Sequence, residues 1–257
     1  MIFMLAGTSD ARALAIEIKT EGHKLLTTVV TDNAAIEMNK LNIPVHIGRL
    51  SADEMIHLIE SKGATTVIDA SHPFAEEASK NAILAAKHLR LPYIRYERAS
   101  QTFHYEKLTV VSSYKEAAQL AATKQGVIML TTGSKTLQVF TEVLLDKPDI
   151  RLVARMLPRL DNMEKCEQLG FPQKNIIAIQ GPFTKEFDQA LYKQYEVNVI
   201  VTKESGKVGS VDEKVEAAKE LGIEIIMIAR PNMDYGISYS EFSPILKALK
   251  GEESNGF

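Results

Sequence analysis

Ile2-Phe3-Met4-Leu5-Ala6-Gly7-Thr8-Ser9-Asp10-Ala11-Arg12 decides the fold: five apolar residues stop at a glycine and pass directly into hydroxyl and acidic side chains. A short apolar run bounded by a turn signal reads as a strand buried on both faces. Thr8 or Ser9 then suits the N-cap of a following helix. Strand, glycine turn and helix N-terminus in this order also make a phosphate cradle, because the first-turn amides face an anion and the glycine lets it approach the backbone. The stretch lacks the full G-x-G-x-x-G spacing, so a capped tight turn accounts for it equally well.

Outward from this stretch the same alternation continues. Apolar runs at residues 25–31, 45–47, 66–69, 93–96 and 109–111 are separated by helix-period segments, and runs at 127–131, 150–154, 176–179, 197–202 and 225–229 repeat the arrangement. The polar loops repeat with them. Gly7-Thr8-Ser9 returns as Gly133-Ser134-Lys135, Gly48 as Gly181, Val67-Ile68-Asp69 as Ile200-Val201-Thr202, and Arg95 as Arg230. An α/β chain of two similar Rossmann-like halves follows, each a mainly parallel sheet with helices on both faces, with a cleft between them. The expected domains are residues 1–120 and 121–250, with a frayed tail at 251–257.

Composition narrows the class. The chain has 257 residues, 45% hydrophobic and 25% charged, and its 30 Lys and Arg against 33 Asp and Glu give a net charge of −3. No global basic field draws it to nucleic acid or an anionic membrane, so an anionic ligand must be met locally. Cys166 is the single cysteine, which excludes an intrachain disulfide and a thiol-based zinc site of four ligands. The apolar start lacks a charged leader and no run approaches the roughly 20 residues that span a bilayer, so a cytoplasmic protein is expected.

Candidate chemistry collects where strands end, the edge at which such sheets bind ligands. Asp32 stands where many dinucleotide folds place a ribose-binding acid, or equally caps the next helix. Asp69-Ala70-Ser71-His72-Pro73-Phe74-Ala75 puts several polar groups on a short turn before a helix, with Pro73 suited to a first helical position. His72 there can donate a hydrogen bond or a proton, though a lone histidine is more often structural. Thr131-Thr132-Gly133-Ser134-Lys135 adds a lysine to a second glycine turn, and the loop from Thr202 to Ser210 carries Lys203 and Lys207. Arg95, Arg155 and Arg230 each stand at or just after an apolar strand. Three such arginines together suit a polyanionic substrate, since arginine grips carboxylates bidentately.

In order and spacing, Ala6-Gly7-Thr8-Ser9-Asp10-Ala11, Asp69-Ala70-Ser71-His72-Pro73-Phe74-Ala75, Arg95-Tyr96-Glu97-Arg98, Thr131-Thr132-Gly133-Ser134-Lys135, Arg155-Met156-Leu157-Pro158, Gly181-Pro182-Phe183, Thr202-Lys203-Glu204-Ser205-Gly206 and Arg230-Pro231 resemble the signature blocks of precorrin-6A reductases, nearly end to end. Ala6 and Asp10 depart from that family's usual Gly-Gly-Thr opening and its following Glu. The resemblance implies an oxidoreductase of cobalamin biosynthesis that uses NADPH to reduce one double bond of precorrin-6A, or cobalt-precorrin-6A, to the 6B product. It places the cofactor on Gly7, Thr8, Ser9, Arg12, Thr31, Ser71, Pro73, Phe74, Gly133 and Ser134. It places the polycarboxylate tetrapyrrole on Arg95, Lys135, Arg155, Glu204, Ser205, Gly206, Lys207 and Arg230. His72 and Lys203 are the catalytic candidates, and Asp32 is expected to point away from the ribose. The competing expectations are a cofactor-free tetrapyrrole synthase resembling uroporphyrinogen-III synthases and a two-lobed binding module without enzymatic activity.

Overall fold

A computed structural model describes residues 1–206 and 211–251 of the chain. Two compact units divide it: Met1–Ala99 with the segment from Pro231 on, and Ser100–Arg230.

The first unit is built from β1 (Ile2–Leu5), α1 (Ser9–Thr20), β2 (Leu25–Val29), α2 (Asp32–Lys40), β3 (Val45–Ile47), α3 (Ala52–Lys62), β4 (Thr66–Asp69), α4 (Glu76–Leu89) and β5 (Tyr93–Tyr96). β6 (Leu108–Val111), α5 (Tyr114–Ala121), β7 (Gly126–Leu130), α6 (Leu137–Leu144), β8 (Ile150–Met156), α7 (Leu160–Gln168), β9 (Ile176–Ala178), α8 (Lys185–Gln194), β10 (Val197–Lys203), α9 (Val211–Glu220) and β11 (Glu224–Ile228) form the second. β12 (Ser238–Tyr239) and α10 (Phe242–Lys250) return to the first.

Both sheets are parallel and six-stranded, in the orders β12-β5-β4-β1-β2-β3 and β6-β11-β10-β7-β8-β9. The central strands β1 and β7 carry buried apolar runs because helices cover both faces. All four residues of β1 are buried; α1, α2 and α10 cover one face of its sheet with Leu14, Ile18, Met38 and Ile245, while α3 and α4 cover the other with Met55, Ile59, Ala82 and Ala86. Each large apolar side chain enclosed in this way stabilises the fold by about 1.5–3 kcal/mol. In the second sheet α8 and α9 bring Tyr192, Val215 and Ala218 against Met129, Val153 and Ile225.

The two sheets match strand for strand except that the sixth strands are exchanged. β6 follows β5 in the chain but pairs with β11, Ile225 against Leu108, and β12 follows β11 but pairs with β5, Ser238 against Arg95. This corrects the expected division near residue 120, because β6 and α5 belong with the second sheet and β12 with α10 completes the first. Partner choice between sheets leaves no mark in local periodicity. Among the described residues no helix is long and apolar enough to cross a membrane.

Candidate active site

β1 ends at Leu5 and the next three residues turn the chain into α1. Gly7 takes φ +116°, which a residue with a Cβ adopts only under strain, and nothing lies within 4 Å of where that Cβ would stand. Thr8 caps α1 by accepting the Ala11 amide at 3.2 Å, and Thr31 caps α2 by accepting the Ala34 amide at 3.3 Å. The two helix starts flank a pocket of about 150 Å³ lined by Gly7, Thr8, Ser9, Arg12, Thr31, Asn33, Ala34, Glu37 and Met38. Five cofactor candidates thus meet in one place, and Asp32 is not among the lining residues. An open glycine turn, helix-start amides and an arginine suit the phosphates and ribose of a nucleotide.

Asp10 holds this turn from behind. Its carboxylate accepts from Arg98 Nη2 at 2.7 Å and Nε at 2.5 Å, with both side chains nearly enclosed. Burial works against its charge, but the hydrogen bonds from Arg98 and Thr8 outweigh that and hold the Asp10 carboxyl below the usual carboxylate range.

At the end of β4, Asp69 accepts the Tyr93 hydroxyl at 2.8 Å and the Ser71 amide at 2.9 Å. Arg95 Nη1 stands 2.8 Å from Asp69 Oδ1 and donates to Ser71 Oγ at 3.1 Å, its Nε donates to Glu97 at 2.8 Å, and the guanidinium lies 4.7 Å from the Tyr235 ring centroid. Burial opposes its charge, and Asp69 and Glu97 more than offset that, so Arg95 titrates above the usual arginine range. With an exposure of 0% it braces the first unit from within this network. Ser71 is enclosed in the same network, its hydroxyl turned to Arg95 instead of outward. Pro73 sits in the turn before α4, which starts at Glu76, so it does not fill the first helical position. His72 and Phe74 are half-buried, with ring centroids 5.9 Å apart. The Phe74 amide donates to His72 Nδ1 at 3.2 Å. An amide only donates, so Nδ1 carries the lone pair and neutral His72 keeps its proton on Nε2.

In the second unit Gly133 takes φ +80° over equally open space. The chain behaves differently after it. Ser134 donates its hydroxyl to Asn162 Oδ1, and α6 begins only at Leu137, where Thr136 makes no side-chain cap bond. Lys203 ends β10; burial and then the charge of Lys135 lower its pKa to about 8. Lys214, on α9, is also lowered to about 8, by burial and then by Arg155 and Lys203, with Asp188 and Glu213 pulling the other way. Nearby, the buried hydroxyls of Thr132 and Thr202 have no hydrogen-bond partner among the described residues.

Arg155 and Arg230 meet protein before ligand. Arg155 is 5% exposed, pairs with fully buried Asp188 and stacks 4.4 Å over Phe183. Arg230 donates to Glu204 Oε1 at 3.1 Å, and Glu204 also accepts the Gly206 and Gln101 amides at 3.1 and 3.4 Å. Ser205 and Gly206 are buried beside it. Glu204 and Arg230 nonetheless line a pocket of about 400 Å³ with Ser100, Gln101, Thr102, Phe103, Leu108, Val110, Met227 and Ala229. Lys207 lies outside the described residues. The Asp10–Arg98 clamp, Glu37 and Lys214 were not assigned from sequence; each matters through a neighbour distant in the chain, and no local motif announces that.

Two doubly wound parallel sheets with an open glycine turn at the carboxyl end of a central strand define an α/β protein of the Rossmann type. The model of the family described as Precorrin-6x reductase CbiJ/CobK matches residues 1–250. The chain belongs to this family, and it is an oxidoreductase of cobalamin biosynthesis of the precorrin-6A reductase type. It is 68% identical over 249 residues to the cobalt-precorrin-6A reductase of Priestia megaterium, covering 97% of this chain and 98% of that one. The cobalt-precorrin-6A reductase of Methanothermobacter thermautotrophicus is 34% identical over 238 residues, 91% of this chain and 77% of the relative. A solved structure described as CobK precorrin-6A reductase shares the fold at a TM-score of 0.79 and 22% identity, over 99% of this chain and 97% of that one. Membership of a reductase family sets aside the synthase and the non-enzymatic binding module, and it implies a nicotinamide cofactor.

Proposed function

We propose that the protein reduces one double bond of cobalt-precorrin-6A with NADPH, the first unit holding the nucleotide and the second supplying charge to the polycarboxylate macrocycle. The observation that carries this reading is the pocket in which Gly7, Thr8, Ser9, Arg12 and Thr31 come together. The cobalt-containing substrate follows the name of the 68% identical relative. The chemistry NADPH supplies when bound is a hydride to one carbon of the double bond, and the neighbouring carbon takes a proton.

The chain orients and supplies that proton. Lys203 is the donor: a lysine brought to about 8 holds its proton at neutral pH yet gives it up more readily than an ordinary lysine. His72 acts as a hydrogen-bond donor through Nε2, because a neutral imidazole whose Nδ1 is taken by the Phe74 amide is a poor acid. Lys135 and Lys214 attract substrate carboxylates from the same side of the unit as Lys203. Gly133 and Ser134 belong with this anion-binding face and not with the cofactor, since Ser134 is committed to Asn162. An anaerobic assay with cobalt-precorrin-6A tests the proposal. One NADPH oxidised per macrocycle reduced is expected; reduction supported by NADH alone, or none with the fold intact, overturns it.

A further inference from the structure

Most arginines near these strand ends are locked into the protein. Arg95, Arg98 and Arg155 are each less than a tenth exposed and paired with a buried carboxylate. Arg12 differs from these three. It lines the Gly7 pocket, is 37% exposed, and reaches Glu37 Oε2 across 3.3 Å. Glu37 has a nearer partner in Lys40, at 2.7 Å from its other oxygen. One carboxylate therefore bridges two cations, held firmly by the one outside the pocket and loosely by the one inside it.

We propose that Arg12 reads the 2′-phosphate of the nucleotide and that Glu37 is its placeholder, drawn back onto Lys40 when the phosphate arrives; Glu37 and Lys40 are positioning residues that set the preference for NADPH over NADH. The inference rests on the first unit being the nucleotide site. Its physical basis is an exchange of partners. Glu37 gives Arg12 a carboxylate partner at 3.3 Å, so its charge is not stranded. A phosphate offers the same guanidinium a bidentate partner of higher charge. Glu37, held at 2.7 Å by Lys40, loses little when Arg12 leaves it. A nucleotide with a 2′-hydroxyl has no group that can displace Glu37, so the carboxylate stays and the pocket gains nothing. Lys40 and then Arg12 keep Glu37 ionised below the ordinary glutamate range, so the placeholder remains charged at neutral pH.

The test is equilibrium binding of NADPH and NADH, by nicotinamide fluorescence and calorimetry, to the parent chain and to Arg12→Ala, Glu37→Gln, Lys40→Ala and Glu37→Gln/Lys40→Ala. Losing a charged hydrogen-bond partner predicts that Arg12→Ala weakens NADPH about 10- to 100-fold and leaves NADH within about twofold. Glu37→Gln tightens NADPH about two- to fivefold and Lys40→Ala weakens it by a similar factor, the size expected of an exposed ion pair. The deciding comparison is the double variant: Lys40 acts through Glu37, so removing Lys40 changes nothing once Glu37 is neutral. Additive effects would show a general charge field and overturn the exchange. Equal weakening of both nucleotides by Arg12→Ala would overturn Arg12 as the phosphate reader while leaving the nucleotide site in the first unit. Failure of the parent chain to bind either nucleotide would overturn that site and this inference together.

Discussion

Gly7 and Gly133 stand at equivalent turns in sheets of the same strand order, both with positive φ and open space above them, yet they lead into different surroundings. After Gly7 the chain enters a capped twelve-residue helix at once, Asp10 is clamped by Arg98, and a pocket opens toward Thr31 and Arg12. After Gly133 the helix is delayed, its cap makes no side-chain bond, and the neighbouring charges are lysines lowered toward neutrality. The matched arginines differ too: Arg95 is sealed between Asp69 and Glu97, whereas Arg230 pairs with Glu204 at the rim of a pocket. A duplicated framework keeps the backbone path while its side chains diverge, a capped turn beside Arg12 in one unit and a cluster of lysines in the other.

The largest expected effect separates the two arginines. Arg95→Ala leaves Asp69 and Glu97 facing each other without a cation, which costs about 3–5 kcal/mol. Arg230→Ala opens a pair already in contact with solvent and costs about 1–2 kcal/mol. Chemical denaturation of both variants measures the difference, and equal losses would mean the two positions are equivalent struts after all.

Next in size is the proton. Lys203→Gln is expected to lower turnover about 100-fold at saturating substrate, the usual scale of general acid catalysis. In the parent chain turnover falls as pH rises through about 8, because burial has lowered the lysine to that value and the deprotonated amine has no proton to give. The variant loses that limb of the profile. Retention of the limb in Lys203→Gln assigns the titration to another group, with Lys214 next in line.

The smallest effects compare the caps. Thr8→Ala removes the side-chain bond to the Ala11 amide and costs about 1 kcal/mol. Thr136→Val removes a buried hydroxyl that bonds nothing among the described residues, and stability stays within about 0.5 kcal/mol of the parent or rises. Thermal unfolding resolves the pair.

These contrasts mark what the sequence could and could not disclose. The apolar runs, the glycine turns and the repeat are local, and all eleven strands expected from them stand where periodicity puts them. β12 escapes notice because two residues, Ser238 and Tyr239, carry no period, and β6 is read correctly as a strand but given to the wrong sheet. Gly7, Thr8, Ser9, Arg12 and Thr31 gather as expected because strand ends of a parallel sheet lie side by side. The pairing of Arg95 with Asp69 and of Arg155 with Asp188 is not legible, because a strand-end arginine looks the same in sequence whether it faces a ligand or a buried acid.

The central claim is that the first glycine turn, and not its twin, holds the nucleotide. Both glycines need positive φ, so an alanine strains either turn alike and places a methyl group in the open space above it. NADPH titration of Gly7→Ala and Gly133→Ala, followed by nicotinamide fluorescence in a chain without tryptophan, sets the two against each other. The account predicts that Gly7→Ala loses saturable binding while Gly133→Ala keeps the affinity of the parent. Loss in Gly133→Ala with binding intact in Gly7→Ala would contradict it.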